Sequence, residues 1–350
     1  MNSKIFKNFF ICAFFAALMA FPVFASAQND TTKTKEKEFD PQTVILEHIG
    51  DSHSWPVLAK TSIPLPVILY TDKGMEFFSS ANLMPEGTIY NGGHYSYKLV
   101  ENKVKAVDST GKVNEEVKVY DFSITRNVIS MLMTTAILLI VFLSVSGAYK
   151  KREGKAPKGL QSFMEPLVLF VRDDIAIANL GSRYARFMPL LLTIFFFILI
   201  NNLFGMIPFF PGGFNLTGNI AVTMVLSVII LLVVNLNGNK HYWKHIFMPN
   251  PWWLFPIMIP VEIVSIFSKP IALMIRLFAN ITAGHIVILS LISLIFIFQT
   301  LWVSPVSIVF VVFMDLIELL VAFLQAYIFT LLSALFIGMA TEEHHHEEVS

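Results

Sequence analysis

The sequence predicts an all-α multi-pass membrane protein: about five transmembrane helices, one amphipathic surface helix and a small, partly β N-terminal extension. Three observations predict it. Hydrophobic residues make up 55% of the 350 and charged residues 14%, with mean hydropathy +0.64; a soluble domain carries roughly 25% charged residues. Apolar runs long enough to span recur after Arg126. Before Arg126 the chain mixes charges, turns and aromatics, and parts of it alternate with the period of a strand. The formal net charge is zero, so the chain lacks the basic footprint of a nucleic-acid binder.

Residues 1–27 read as a secretory signal peptide. Lys4 and Lys7 supply a basic start, Phe9 to Phe24 an apolar core, and Ala25-Ser26-Ala27 a small-x-small cleavage site. The alternative is a retained first membrane helix, but the apolar run is short for one. Cys12, the single cysteine, lies inside this segment. A chain cleaved there has no disulfide and no thiol catalyst.

Residues 28–125 read as an extension outside the cytoplasm. Asp30 to Glu38 is a charged linker. Pro64 to Tyr70 and Lys98 to Phe122 alternate like strands, with a turn at Asp108-Ser109-Thr110-Gly111. Nothing in the extension states its role. His48 and His53 read as loop residues rather than metal ligands.

Residues 126–343 read as the membrane domain. Val128 to Ala148 can span, at about 1.5 Å per residue against about 30 Å of hydrocarbon. Gly159 to Leu180, with Arg172, Asp173 and Asp174, reads as an amphipathic helix on the surface. Met188 to Ile207 and Ile220 to Val234 are two further spans, and Leu236 to Asn250 is polar. The last two segments, Pro256 to Phe298 and Val303 to Ala340, exceed what an upright helix needs and so predict tilt or kinking. Residues 344–350 form a tail, in which His344-His345-His346 reads as solvated. Lys150, Lys151, Arg152, Lys155 and Lys158 crowd one loop, and Lys240 and Lys244 another. Basic loops stay in the cytoplasm. The extension is then outside, in agreement with a signal peptide, and the C-terminus is cytoplasmic in an inner membrane.

Charged side chains within spanning helices are costly and functional by default. Glu262, Lys269 and Arg276 are spaced by seven, about two turns, and so share a face. Asn280, four beyond Arg276, joins them, while His285 is rotated toward a neighbour. In the final segment Asp315, Glu318 and Gln325 form one polar stripe. The two segments run in opposite directions, so His285 and Glu318 fall at similar depth, with Arg276 between their level and that of Glu262. Glu and His gain and lose protons when burial and neighbours tune them. Arg does not release its proton. A fixed cation between two proton-accessible groups blocks a direct leak. Lys269 also has a topological reading, in which its amine snorkels to the interface.

These residues also carry a resemblance. The run Ser268-Lys269-Pro270-Ile271-Ala272-Leu273-Met274-Ile275-Arg276-Leu277-Phe278-Ala279-Asn280 to His285 resembles the signature of subunit a of F-type ATP synthases. Leu324-Gln325-Ala326-Tyr327-Ile328-Phe329 is similar to that family's final helix, and Met339 to His344 to its ending. The likeness covers about Thr125 to His344. It implies a non-catalytic stator subunit without cofactor, which couples proton transfer to rotation of a c-ring and meets the peripheral-stalk subunit b in the lipid membrane. It implies that Arg276 faces the ring carboxylates, flanked by Asn280 and Gln325. Glu262 falls to an inner half-channel, and His285 with Glu318 to an outer one. Many bacterial members place Glu and His the other way round; the exchange keeps one acid and one imidazole. Asn219 stands where the family often has Asp. Rival readings are a secondary ion transporter, which would show repeats, and a scaffold for another complex. No H-E-x-x-H pattern is present, and Gly111-Lys112 lacks the rest of a phosphate loop.

Overall fold

The computed structural model describes residues 50–341, except 59–60, 86, 101, 109–110, 152–153, 208–211, 248–254 and 299–302. The signal segment, the charged linker, His48, the turn residues Ser109 and Thr110, and the histidine tail lie outside the described residues.

Among the described residues the extension is built from small antiparallel sheets. Strand β1 (Ser54–Leu58) pairs with β2 (Thr61–Pro64). Strand β3 (Pro66–Thr71) lies between β4 (Gly74–Ser79) and β8 (Tyr120–Asp121), and β6 (Ser96–Val100) between β5 (Ile89–Asn91) and β7 (Lys103–Val107). Successive residues of a strand point to opposite faces. In β3 this buries Val67, Leu69 and Thr71 and exposes Pro66 and Tyr70. Leu83, Tyr97, Leu99, Val104 and Ala106 complete the core. The alternation expected from Lys98 to Phe122 is broken. Asn102 adopts a left-handed φ of 61° where β6 turns into β7, and past Val107 pairing is reduced to a bridge to Val113 and the short β8.

One buried acid organises this domain. Glu76 accepts hydrogen bonds from the Gly93 and His94 amides and from the Tyr97 hydroxyl, at 3.0, 2.9 and 2.9 Å. A carboxylate buried with three donors is satisfied. A Cβ on Gly92 would stand 2.2 Å from the Glu76 carboxylate and 2.9 Å from the Tyr95 carbonyl, so a side chain there would displace the acid from its donors.

The membrane domain contains helices α1 (Arg126–Lys151), α2 (Leu160–Phe170), α3 (Tyr184–Gly205), α4 (Ile220–Asn237), α5 (Lys240–Phe247), α6 (Phe255–Phe298) and α7 (Val303–Thr341). Among the described residues, five helical runs are long and apolar enough to cross a membrane: Arg126–Lys151, Leu160–Gly205, Ile220–Asn237, Ile257–Ile295 and Ser304–Thr341. Helices α6 and α7 hold 44 and 39 residues, lengths of about 66 and 58 Å. Pro260 and Pro270 lie inside α6, where each removes a backbone donor.

The segment before α3 departs from expectation. A π-helical turn, Val171–Ile177, and two short turns join α2 to α3, so helix runs on almost without a break. Arg172 and Asp173 stay exposed and pair at 2.7 Å. Val171, Ile175, Ala176 and Leu180 are buried against α3 and α7. The segment is amphipathic, but its apolar side covers protein.

The bundle core is a set of stripes: Leu191, Phe195 and Ile198 on α3, Leu273, Leu277 and Ile281 on α6, and Ala326, Phe329, Ala334 and Ile337 on α7. Small residues let backbones approach closely. Gly338 is the extreme case, since a Cβ there would meet the Asn179 carbonyl at 2.3 Å. The last carbonyls of α7 have no helical partner. Arg183 and the Asn239 side chain donate to Thr341 O, and the Asn239 amide donates to Ala340 O at 2.9 Å.

The extension is tied to the opposite end. Arg126 donates through Nη2 to Gly50 O at 2.6 Å and through its amide to Ser52 O at 2.9 Å. The Asn127 amide donates to Asp51 Oδ1 at 3.2 Å. Trp55 Nε1 donates to Gly212 O at 3.2 Å, and its ring meets Phe214 edge-on at 6.0 Å. Trp55, Phe214 and Leu216 form one buried cluster, packed by Ile129, Met133, Phe197, Phe204 and Val222.

Candidate functional site

Helices α6 and α7 pack along one another and bring His285 and Glu318 together. His285 Nδ1 lies 3.4 Å from Glu318 Oε1, with side-chain exposures of 19% and 7%. Two glycines make the space. A Cβ on Gly284 would stand 3.2 Å from Glu318 Oε1. A Cβ on Gly205, the last residue of α3, would stand 3.6 Å from His285 Nε2 and 3.1 Å from Phe214 O. The imidazole is therefore held between Glu318 and the end of α3. Asp315, one turn from Glu318, is half-buried.

Arg276 lies nine residues from His285, about 13 Å along the helix. It is exposed, on the side of α6 away from Leu273, Leu277 and Ile281. Asn280 is exposed one turn on, and so are Ala272, Ala279 and Ala283. The cation thus stands on a face of small side chains that a neighbouring helix could approach closely.

Glu262 and Lys269 are half-buried. The Lys269 amine lies 5.6 Å from the centre of the Phe336 ring on α7. Burial, and after it the charge of Glu262, push the Tyr242 phenol of α5 above its ordinary value, which puts Glu262 within electrostatic reach of that short helix. The four residues expected on one face are divided: Arg276 and Asn280 face outward, while Glu262 and Lys269 lean on protein. Gln325 is buried, 3% exposed, on the stripe that carries Glu318.

A polar network beside the pair was not expected from sequence. Thr134 on α1 donates to Asn201 Oδ1 at 2.9 Å. Thr217 donates to Asn202 Oδ1 at 2.6 Å, and Asn202 Nδ2 donates to Ala322 O at 3.2 Å. Asn215 Oδ1 accepts from the Gly218 amide at 2.9 Å, and Thr282 on α6 donates to Gly218 O at 3.5 Å. The network links α1, α3, α6, α7 and the loop before α4. Asn215 Nδ2 is buried, with no hydrogen-bond partner among the described residues. The available signal was the Asn201-Asn202 pair within an apolar span. Asn219 is explained locally: it caps α4, its side chain accepting from the Ala221 amide at 2.9 Å.

Among the described residues no group of three or more His, Cys, Asp or Glu is placed to hold a metal ion. His53 is 5% exposed and lies 2.9 Å from Asp121, a tie across the extension.

Two families match the chain. The family described as ATP synthase A chain matches residues 128–338, and a domain of unknown function matches residues 44–122. ATP synthase subunit a of Chloroherpeton thalassium is 49% identical over 237 residues, which cover 66% of this chain and 70% of that protein. ATP synthase subunit a 2 of Prosthecochloris aestuarii is 45% identical over 272 residues, 73% of this chain and 83% of that protein. ATP synthase subunit a 2 of Chlorobaculum tepidum is 46% identical over 256 residues, 70% and 72% of the two chains.

Proposed function

The chain belongs to the ATP synthase A chain family, and on that premise we infer that it supplies the two stationary half-channels by which protons reach and leave the carboxylates of a rotor c-ring. The observation that carries this is the arrangement on α6 and α7. A half-buried imidazole against a buried carboxylate lies toward one end and a half-buried carboxylate toward the other, with an exposed guanidinium between them.

The basic loops put the Lys150 and Lys240 end in the cytoplasm. The extension and the His285–Glu318 pair then belong to the outer half. A proton from outside passes through His285 and Glu318 to a ring carboxylate and neutralises it. The neutral carboxyl can enter lipid, where a charge would be penalised. After most of a rotation the group reaches the inner channel near Glu262 and releases its proton to the cytoplasm. Arg276 pairs with the ionised carboxylate and favours that form. Since it cannot give up its own proton, no proton crosses without rotation. The small residues around Arg276 let the ring helices come close. Gln325 and Asn280 orient the polar groups there, and Lys269 serves the inner side. Subunit b of the peripheral stalk holds the chain stationary, and ATP is made elsewhere in the complex.

The test is Arg276→Ala in the assembled complex, reconstituted in vesicles, with ATP-driven pumping and passive proton leak measured together. Loss of pumping with a new leak is expected. Normal pumping overturns the reading.

A further inference from the structure

We propose that Trp55 of the extension is a positioning residue for the outer proton step, holding the loop before α4 as the back wall of the His285 site. The inference rests on the reading of His285 and Glu318 as the outer proton path.

The connection is short. Trp55 is 3% exposed, donates to Gly212 O at 3.2 Å and packs edge-on against Phe214, itself 1% exposed. The Phe214 carbonyl lies against Gly205, where an added Cβ would meet it at 3.1 Å. On its other side Gly205 abuts His285. Two layers of contact therefore separate the indole from the imidazole. The same loop is held from the other sides by the Thr217–Asn202 hydrogen bond to α3 and by the bond from Thr282 to Gly218 O. Displacing residues 212–216 loosens the wall behind His285 without touching either member of the pair.

Trp55 does not have the posture of a membrane-interface tryptophan, which keeps an apolar body in lipid and its polar edge wet. Its N–H is committed to a protein carbonyl and its ring is buried in protein. The extension is also fixed independently, by Arg126 and Asn127 on Gly50, Ser52 and Asp51. With that root anchored, the indole transmits the position of the extension to the loop. A wall misplaced by about 1 Å is enough to change a proton-transfer rate strongly.

Glu318, at 3.4 Å, is the titratable group that faces His285 from α7, and Asp315 lies one turn from Glu318 on the same helix. The loop of residues 212–219 and α4 carry no charged side chain, and the one charged residue of α3, Arg186, lies at its far end.

The experiment uses the full chain in the assembled complex in vesicles and compares Trp55→Ala, Trp55→Phe and His285→Ala. Proton pumping per assembled complex is measured against the pH of the outer compartment. Trp55→Ala is expected to lower the rate about tenfold and to move the pH midpoint by about half a unit or more. Trp55→Phe keeps an aromatic ring, though a smaller one, and loses the donor, and is expected to fall between Trp55→Ala and the native chain; it carries the test if Trp55→Ala does not assemble. An unchanged rate and midpoint overturns the proposal. So does a lower rate with an unmoved midpoint, which marks a structural role only. Full pumping by His285→Ala sinks the underlying proton path, a failure distinct from that of Trp55.

Discussion

His285 Nδ1 and Glu318 Oε1 stand 3.4 Å apart across two antiparallel helices, with thirty-two residues between them in the chain. The contact is between an acid and an imidazole whose identities could be exchanged. His285→Glu and Glu318→His as single changes leave two acids or two imidazoles face to face and are expected to lower pumping about a hundredfold. The double exchange restores one of each and is expected to recover a large part of the loss. Pumping by reconstituted complexes checks this, and a double variant no better than the singles contradicts it.

Gly338 allows α7 to lie against the backbone at Asn179. Gly338→Ala places a methyl 2.3 Å from a carbonyl that has no freedom to rotate away. Overpacking of this kind costs about 1–3 kcal/mol. A lower thermal midpoint in detergent is expected, with a smaller effect for Gly147→Ala, where the added Cβ meets nothing within 4 Å.

The extension should resist alkali unequally. Burial first, and then the Glu76 carboxylate, raise the Tyr97 phenol above its ordinary range. A raised pKa contributes stability that is fully present below the unfolded value, about 10, and is lost as pH climbs beyond it. In a tyrosinate absorbance titration Tyr97 should ionise above the ordinary range of a tyrosine phenol. Glu76→Gln should bring it forward.

Acid should act through a different group. Burial alone would raise the Asp121 carboxyl, but hydrogen bonds from His53 and Ser123 outweigh it and hold the group below its usual value. A depressed pKa contributes stability that is present above the unfolded value, about 3.9, and is lost as pH falls through the folded one. Asp121→Asn is expected to cost about 1 kcal/mol at neutral pH and to flatten the acid limb, measured by unfolding of the extension followed by circular dichroism.

What could be read in advance divides along a physical line. Apolar length alone placed Val128 to Ala148 inside the helix Arg126–Lys151, and opposite chain direction alone put His285 level with Glu318. Both are properties of a single segment set against a slab of fixed thickness. Properties that depend on which segments touch were not legible. Helical spacing put Glu262, Lys269, Arg276 and Asn280 on one face, yet Lys269 leans on Phe336 while Arg276 is exposed, because the packing of α7 decides which part of that face is covered. Asn201 and Asn202 lie in an apolar run that was read only as a span, and their partners Thr134 and Thr217 come from other elements. Leu236 to Asn250 looked merely polar. Its Trp243 and Phe247 rings stack at 5.9 Å, one turn apart, on the short helix α5.

The bond from Trp55 to Gly212 joins residues 157 positions apart. Ribosomes add roughly 5–20 residues each second, so the indole is synthesised on the order of ten seconds before its acceptor exists. Through that interval the strands around Trp55 can fold locally, but their seat on the bundle has not been made. The extension can settle only once α3 has crossed the membrane and the chain has turned back. Quenching or shifting of Trp55 emission during insertion would therefore time the arrival of the second crossing.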